Sequence, residues 1–491
     1  RNSPPSTSSS PSSPGYAAVT SAEEAHIKYR EALCHKQLDE VSHAIRSLEA
    51  VSPSLRTLPM NLTLGWLYMS TGTGSRVNAM TVYQDALRQN PVALEAINSL
   101  VDLGVSARAL LDLIQSSPAA AELGDLSWIE SYVVGLFAVH TNDHGAAIQH
   151  WSMLEERFPN NLPSLLQLAN LHLEAGRYDD SHYYFNKARV CDTLSLDSMD
   201  RFALLVKLRN TPETPGELNR LAHDLLSTTT QRPETWVAIA LYTELRGDRE
   251  KSLNFVEKAL VLSPRHVLAL QLKGDLLVQL NKPEHAIISF FHAKELRKDL
   301  RSYKGLVDAY INTRKLKEAM ATAKEAIDTL PNNAGAVTLL GRVLAVGATA
   351  NGVSSEERSS KTKQAKKVFG RALVMDPDYI QAAMALVDLL CANSDYAECI
   401  ELLQQSLRQH NQDFLHTKLA DVLSLDGKYS EALASYHTAM ALNPNNEDAK
   451  VGLEKLEKRM RGVDPDLDED EDPEVSEGEA ADGSPDGAAS R

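Results

Sequence analysis

The chain has 491 residues, 43% of them hydrophobic and 24% charged, with a formal net charge of −16 at pH 7. Its apolar content is ordinary for a folded, water-exposed protein, and no run approaches the 18 or more apolar residues that cross a bilayer as a helix. An acid excess of this size argues against a surface built to follow phosphate backbones, which needs a concentrated basic face.

Residues 1–20 are rich in Ser and Pro, a composition expected to stay disordered. Ser3, Ser10 and Ser13 each precede Pro and are candidate sites for proline-directed kinases. From residue 25 a repeated phrase takes over: a bulky residue, a small residue about four positions later, Gly near the middle, then Ala and a closing Pro. Trp236, Ala240, Gly247, Ala259 and Pro264 follow it, as do Leu419, Ala420, Gly427, Tyr429, Ala432, Tyr436, Ala439 and Pro444. Tyr303, Leu306, Ala319, Ala326 and Pro331 give a third copy in the same register. This is the roughly 34-residue tetratricopeptide (TPR) pattern of antiparallel helix pairs. Small residues let neighbouring helices approach closely while the large one fills the space beside them. The closing Pro cannot continue a helix and so ends the second of each pair.

The same ruler predicts helix pairs at about 25–55, 57–91, 93–117, 125–159, 162–194, 196–229, 233–264, 267–299, 300–331, 334–377, 380–412 and 413–444. The pair at 93–117 is short, and that at 196–229 carries an unusual turn over residues 210–216. In the tenth pair Ala350–Lys363, with Asn351-Gly352 and four serines, reads as a flexible surface loop. Residues 446–460 read as a polar capping helix. Residues 464–491 form a tail, expected to be disordered, with twelve acidic residues. It also holds the candidate phosphosites Ser476 and Ser484, and it is expected to be dispensable for folding. The expected fold class is therefore all-α, a TPR superhelical solenoid.

Such an array offers a long surface for other proteins and no inherent chemistry. There is no HExxH, paired CxxC, P-loop or glycine-rich nucleotide fingerprint, so no cofactor or catalytic residue is assigned. His140, His144 and His150 lie near one turn, and His410 and His416 near another. They read as polar turn residues, without the three or four converging ligands of a zinc site. Cys34, Cys191, Cys391 and Cys399 stand far apart in the sequence and read as buried thiols of a reducing compartment, nucleus or cytosol.

If a groove binds a partner, the second, fifth, ninth, twelfth and thirteenth residues of each first helix should line it. In the pairs starting at 267 and 300 these include Gln271, Asp275 and Gln279, and Lys304, Asp308 and Asn312, which form the candidate contact strip. A clamp for chaperone carboxylates would want Asn where Asp308 stands, and Asp308 repels such a ligand.

Residues 92–105, 232–262, 266–296 and 413–458 (DFLHTKLADVLSLDGKYSEALASYHTAMALNPNNEDAKVGLEKLEK in the last case) resemble the subunit-seven family of the anaphase-promoting complex, or cyclosome. The resemblance covers about 25–460 and extends to the acidic tail. It implies a non-catalytic TPR scaffold in a cell-cycle ubiquitin ligase, packed beside other TPR subunits in the nucleus and cytoplasm and on the mitotic spindle. It implies no nucleic-acid or membrane partner. It also implies that the family homodimer is built by further repeats ahead of a Ser-rich linker, so residues 1–491 alone are expected to be monomeric. The alternative function is a free-standing TPR adaptor for peptide tails of cargo or chaperones.

Overall fold

A computed structural model describes residues 21–71, 75–122, 124–349, 354–377 and 379–461. The expected segment 1–20, with Ser3, Ser10 and Ser13, and the tail 464–491, with Ser476 and Ser484, lie outside the described residues. Among those residues there are twenty-five α-helices and no strand. The fold is all-α and of the TPR type.

The helices divide into two compact units. One comprises Arg1–Lys315 with Glu325–Asn333, the other Leu316–Lys324 with Ala334–Arg491. The first unit opens with α1 (Ser21–Gln37), α2 (Val41–Glu49), α3 (Leu58–Ser70), α4 (Arg76–Gln89), α5 (Leu94–Asp102) and α6 (Ala107–Gln115). It continues with α7 (Ser127–His140), α8 (His144–Arg157), α9 (Leu162–Glu174), α10 (Tyr178–Cys191), α11 (Met199–Arg209) and α12 (Thr214–Thr228). Next come α13 (Pro233–Leu245), α14 (Arg249–Leu262), α15 (Val267–Gln279), α16 (Pro283–Leu296) and α17 (Leu300–Asn312); α18 (Leu316–Thr329) contributes residues to both units. The second unit holds α19 (Ala334–Thr349), α20 (Ser355–Met375), α21 (Ile380–Ala392), α22 (Tyr396–Gln409), α23 (Asp413–Leu425), α24 (Tyr429–Leu442) and α25 (Glu447–Met460).

Odd- and even-numbered helices form the pairs, and the chain reverses between them through one left-handed residue. Asn142, Gly176, Gly247, Asn281 and Arg314 in the first unit, and Ser394 and Gly427 in the second, all have φ between 57° and 85°. Gly and Asn reach that region at least cost. Three of the pairs are closed by an aromatic ring on the second helix seated where the first has no side chain. Tyr83 meets Gly65, Phe290 meets Gly274, Phe369 meets Gly341, and a Cβ on any of these glycines would lie within 2.6 Å of the ring. Tyr436 uses Gly452 of α25 in the same way. These rings are essentially fully buried, so each contributes the stabilisation of a large apolar side chain, about 1.5–3 kcal/mol.

Two expectations change. The stretch expected to be a flexible loop, Ala350–Lys363, is helical from Ser355 onward, and residues 350–353 lie outside the described set. Ser354 caps α20 by accepting from the Glu357 amide at 3.2 Å, with Glu356 and Glu357 in the first turn where the helix dipole favours them. Buried Ala365 and Phe369 then anchor the helix further on. The unusual turn at 210–216 is also shorter than its composition implies. Thr214 is buried and opens α12, its hydroxyl accepting from the Thr211 amide at 2.9 Å and donating to the Val206 carbonyl at 3.2 Å. Pro215 sits in the first turn, where its missing N–H is harmless.

Candidate protein-binding surface

The strip expected from the sequence lies in the first unit, on α15 and α17. Gln271 is 2% exposed, and its amide donates to both Asp299 oxygens at 2.9 and 3.0 Å and to Ser302 Oγ at 2.8 Å. It is a strut between two pairs, and with no donor left facing outward it is corrected from ligand contact to structural residue. Asp275 accepts from Arg301 at 2.8 Å, and exposed Gln279 donates to Glu244 at 3.0 Å. Lys304 and Asp308 are half-buried and engaged within the protein, while Asn312 is exposed.

Gln271 is one end of a larger polar network. Arg297 pairs with Asp299 at 2.8 Å and with Glu174 at 3.5 Å, and Glu174 also receives Arg201 at 3.3 Å. Beside them buried Asp200 faces His266 at 3.5 Å, and His266 caps α15 by accepting from the Ala269 amide at 3.1 Å. Burial pushes the Asp200 carboxyl above its ordinary pKa, with His266 and Arg201 only partly opposing it. Burial acts on Asp299 in the same sense, yet Arg297 and the Ser302 hydrogen bonds outweigh it and hold that carboxyl low. Arg201 is lowered by burial and then by the like charge of Arg297. The network braces helices from several repeats together.

The second unit carries an open groove. It has a volume of about 500 Å³ and lies between α21, α23 and α25. Its apolar contacts come from Met384, Phe414 and Val451, the last two 40% and 50% exposed. Lys418, Asp421, Glu447 and Lys455 supply charge of both signs along the same groove. Lys418 is held by Asp388 at 2.7 Å; burial works against its ammonium, but that pairing keeps its pKa above the ordinary value. Burial raises Asp421 even though it accepts from Tyr436 Oη at 2.5 Å. Asn446 caps α25 and ties it to α23 by donating to Asp413 at 3.0 Å and Thr417 at 3.2 Å. Apolar contact flanked by mixed charge suits a peptide segment.

The residues of this groove were readable by the rule that picked the other strip. The second, fifth and ninth residues of α23 are Phe414, Thr417 and Asp421, and all three line it. His140, His144 and His150 build no centre: among the described residues no group of three or more His, Cys, Asp or Glu converges for a metal ion. Among those residues no helix is long and apolar enough to cross a membrane. The cysteine reading needs two corrections. Cys34 and Cys191 are exposed, and Cys391 and Cys399, eight positions apart, bring their sulfurs within 3.5 Å because α21 and α22 fold back on each other.

Tetratricopeptide repeat family models match residues 358–420 and 415–450. Anaphase-promoting complex subunit 7 of Arabidopsis thaliana is 34% identical over 461 residues, 93% of this chain and 79% of the relative. The chain belongs to the anaphase-promoting complex subunit 7 family. The Homo sapiens family member is 30% identical over 485 residues, covering 97% of this chain and 82% of that protein. The crystal structure of the APC/C hetero-tetramer Cut9-Hcn1 superposes with a TM-score of 0.63 at 17% identity, over 90% of this chain and 85% of that one. At that identity the likeness speaks for the TPR fold alone. Family and fold thus agree with an array of TPR helix pairs.

Proposed function

We infer that this chain is a TPR scaffold subunit of an anaphase-promoting complex, a cell-cycle ubiquitin ligase, and that it holds neighbouring subunits through its repeats. The observation that carries the reading is the match to subunit 7 over nine-tenths of the chain. The surface fits it: an open, amphipathic groove supported by rigid helices, the kind of site that receives a segment of another protein.

The finer reading is that the chain contributes no ubiquitin-transfer chemistry, binds neither nucleic acid nor membrane, and acts in the nucleus and cytoplasm with spindle association in mitosis. We also propose that the homodimer contacts of the family belong to the part of the relatives that this chain does not cover, so that residues 1–491 are monomeric by light scattering. A tight dimer of these residues would move that interface into the array.

The test is purification of the tagged protein from mitotic cells followed by mass spectrometry, together with imaging of the same tag. Other anaphase-promoting complex subunits should be recovered in stoichiometric amounts. Phe414→Ala with Lys418→Glu should reduce that recovery while leaving the circular dichroism spectrum unchanged. Recovery of cargo or chaperone proteins without those subunits would overturn the scaffold reading in favour of a free adaptor.

A further inference from the structure

Cys391 lies in the last turn of α21 and Cys399 in the first turn of α22, on the facing sides of one helix pair. Their sulfurs are 3.5 Å apart. Cys399 is fully buried, and its thiol also donates to the Val387 carbonyl at 3.6 Å, while Cys391 is half-exposed. Cys391 follows Met384 by seven residues, which places it on the same face of α21 two turns further along.

We propose that Cys391 and Cys399 form a reversible disulfide that ties α21 to α22, with a low-molecular-weight disulfide such as glutathione disulfide as the oxidant. The accessible Cys391 thiol gives its proton to solvent, and the thiolate attacks one sulfur of glutathione disulfide. That S–S bond breaks and one glutathione thiolate leaves, with Cys391 now in a mixed disulfide. Cys399 gives its proton to solvent and attacks the Cys391 sulfur, expelling the second glutathione thiolate. Both leaving thiolates are reprotonated, so two protein thiols and one glutathione disulfide become one protein disulfide and two glutathiones.

Geometry sets this order. A separation of 3.5 Å is within the range of roughly 3–3.5 Å from which near-attack complexes react. Closing to a bond of about 2.05 Å needs a shift of about 1.5 Å. Burial, the Cys391 contact and the nearby carboxylates of Glu398 and Asp395 push the Cys399 thiol up to about 12. Fully buried, Cys399 is also out of reach of glutathione disulfide while Cys391 is not, so Cys399 resolves the mixed disulfide and does not start the reaction.

The experiment exposes folded residues 1–491 to glutathione disulfide, then alkylates free thiols under denaturing conditions and weighs the tryptic peptides. One tryptic peptide carries both residues. It should come out two hydrogens lighter than its reduced form, with no glutathione and no alkyl group, and should revert with dithiothreitol. Exposed Cys34 and Cys191 should carry glutathione instead. In Cys399→Ser the same peptide should keep glutathione on Cys391, and if that variant does not fold, the wild-type peptide decides alone. Glutathione persisting on wild-type Cys391, or both thiols still open to alkylation once Cys34 and Cys191 have reacted, would overturn the proposal.

Discussion

The joint around Phe290 and the joint around Asp200 hold neighbouring helices of one unit by opposite means. Phe290 of α16 is 1% exposed and wedged between Gly274 of α15 and Gly305 of α17, and a Cβ added at either glycine would overlap its ring. Around Asp200 the contact is instead made of ionisable side chains, with His266, Arg201, Glu174, Arg297 and Asp299 drawn from several repeats. An apolar wedge has no tolerance for added volume and little response to pH. A buried charge network has the reverse weakness: it depends on every partner being present and on its protonation. One helix-pair geometry is therefore closed by two chemistries that fail under different insults.

The largest expected effect comes from volume. Gly274→Trp inserts a bulky side chain where the ring cannot retreat, because Gly305 fixes its other side. The cost should be about 3 kcal/mol, the upper end of ordinary overpacking. Since repeat stability is close to a sum of local and neighbour terms, hydrogen exchange should accelerate across residues 233–312 and change little across 21–115. Unchanged protection over 233–312 would refute the wedge.

Loss of a partner comes next. Asp299 caps α17 through the Ser302 amide at 2.9 Å and also binds Arg297 and Gln271. Asp299→Ala should cost about 2–3 kcal/mol at neutral pH, a cap of about 1 kcal/mol plus the buried donors left without an acceptor. The Asp299 carboxyl is held low in the folded state. Its contribution is therefore present above the unfolded value, near 4, and disappears as pH falls through the folded one. Urea titrations of the two proteins should converge toward pH 2, and an undiminished gap there would show that the cap and packing, not the charge, carry the effect.

How much of this was legible in the sequence differs between the two joints. The wedge follows from local periodicity, since Gly274 occupies the small position of its helix and Phe290 the aromatic position of the next. The network does not, because Glu174, Asp200 and Arg297 belong to different repeats and no spacing rule links them. Gln271 looked like a polar residue on an open strip for that reason; its partners Asp299 and Ser302 come from the next pair. In α20 the apolar period begins only at Ala365, so the helix before it was signalled only by Ser354 and the acids that follow. The groove lay open to the rule that chose Gln271, once applied to Phe414, Thr417 and Asp421.

The smallest expected effect separates the costly member of the network from the useful ones. Asp200 is 6% exposed and its carboxyl is raised above the ordinary value by burial. It binds its proton more tightly folded than unfolded, so its contribution is fully present below the unfolded value, near 4, and is lost as pH rises through the folded value. Above the folded value the ionised carboxylate is therefore a net expense that His266 and Arg201 do not fully offset. Asp200→Asn keeps the shape, removes the titration and leaves an acceptor for the Arg201 amide. Stability at pH 8 should be equal to the wild type or up to about 1 kcal/mol higher, because replacing a buried charge with a neutral group of similar volume is commonly neutral or favourable. As the pH is lowered toward 4 the balance should shift toward the wild type. If Asp200→Asn is instead the weaker protein by more than about 1 kcal/mol at pH 8, the pairing with His266 outweighs desolvation, and the two joints are alike in being stabilised by every group they bury.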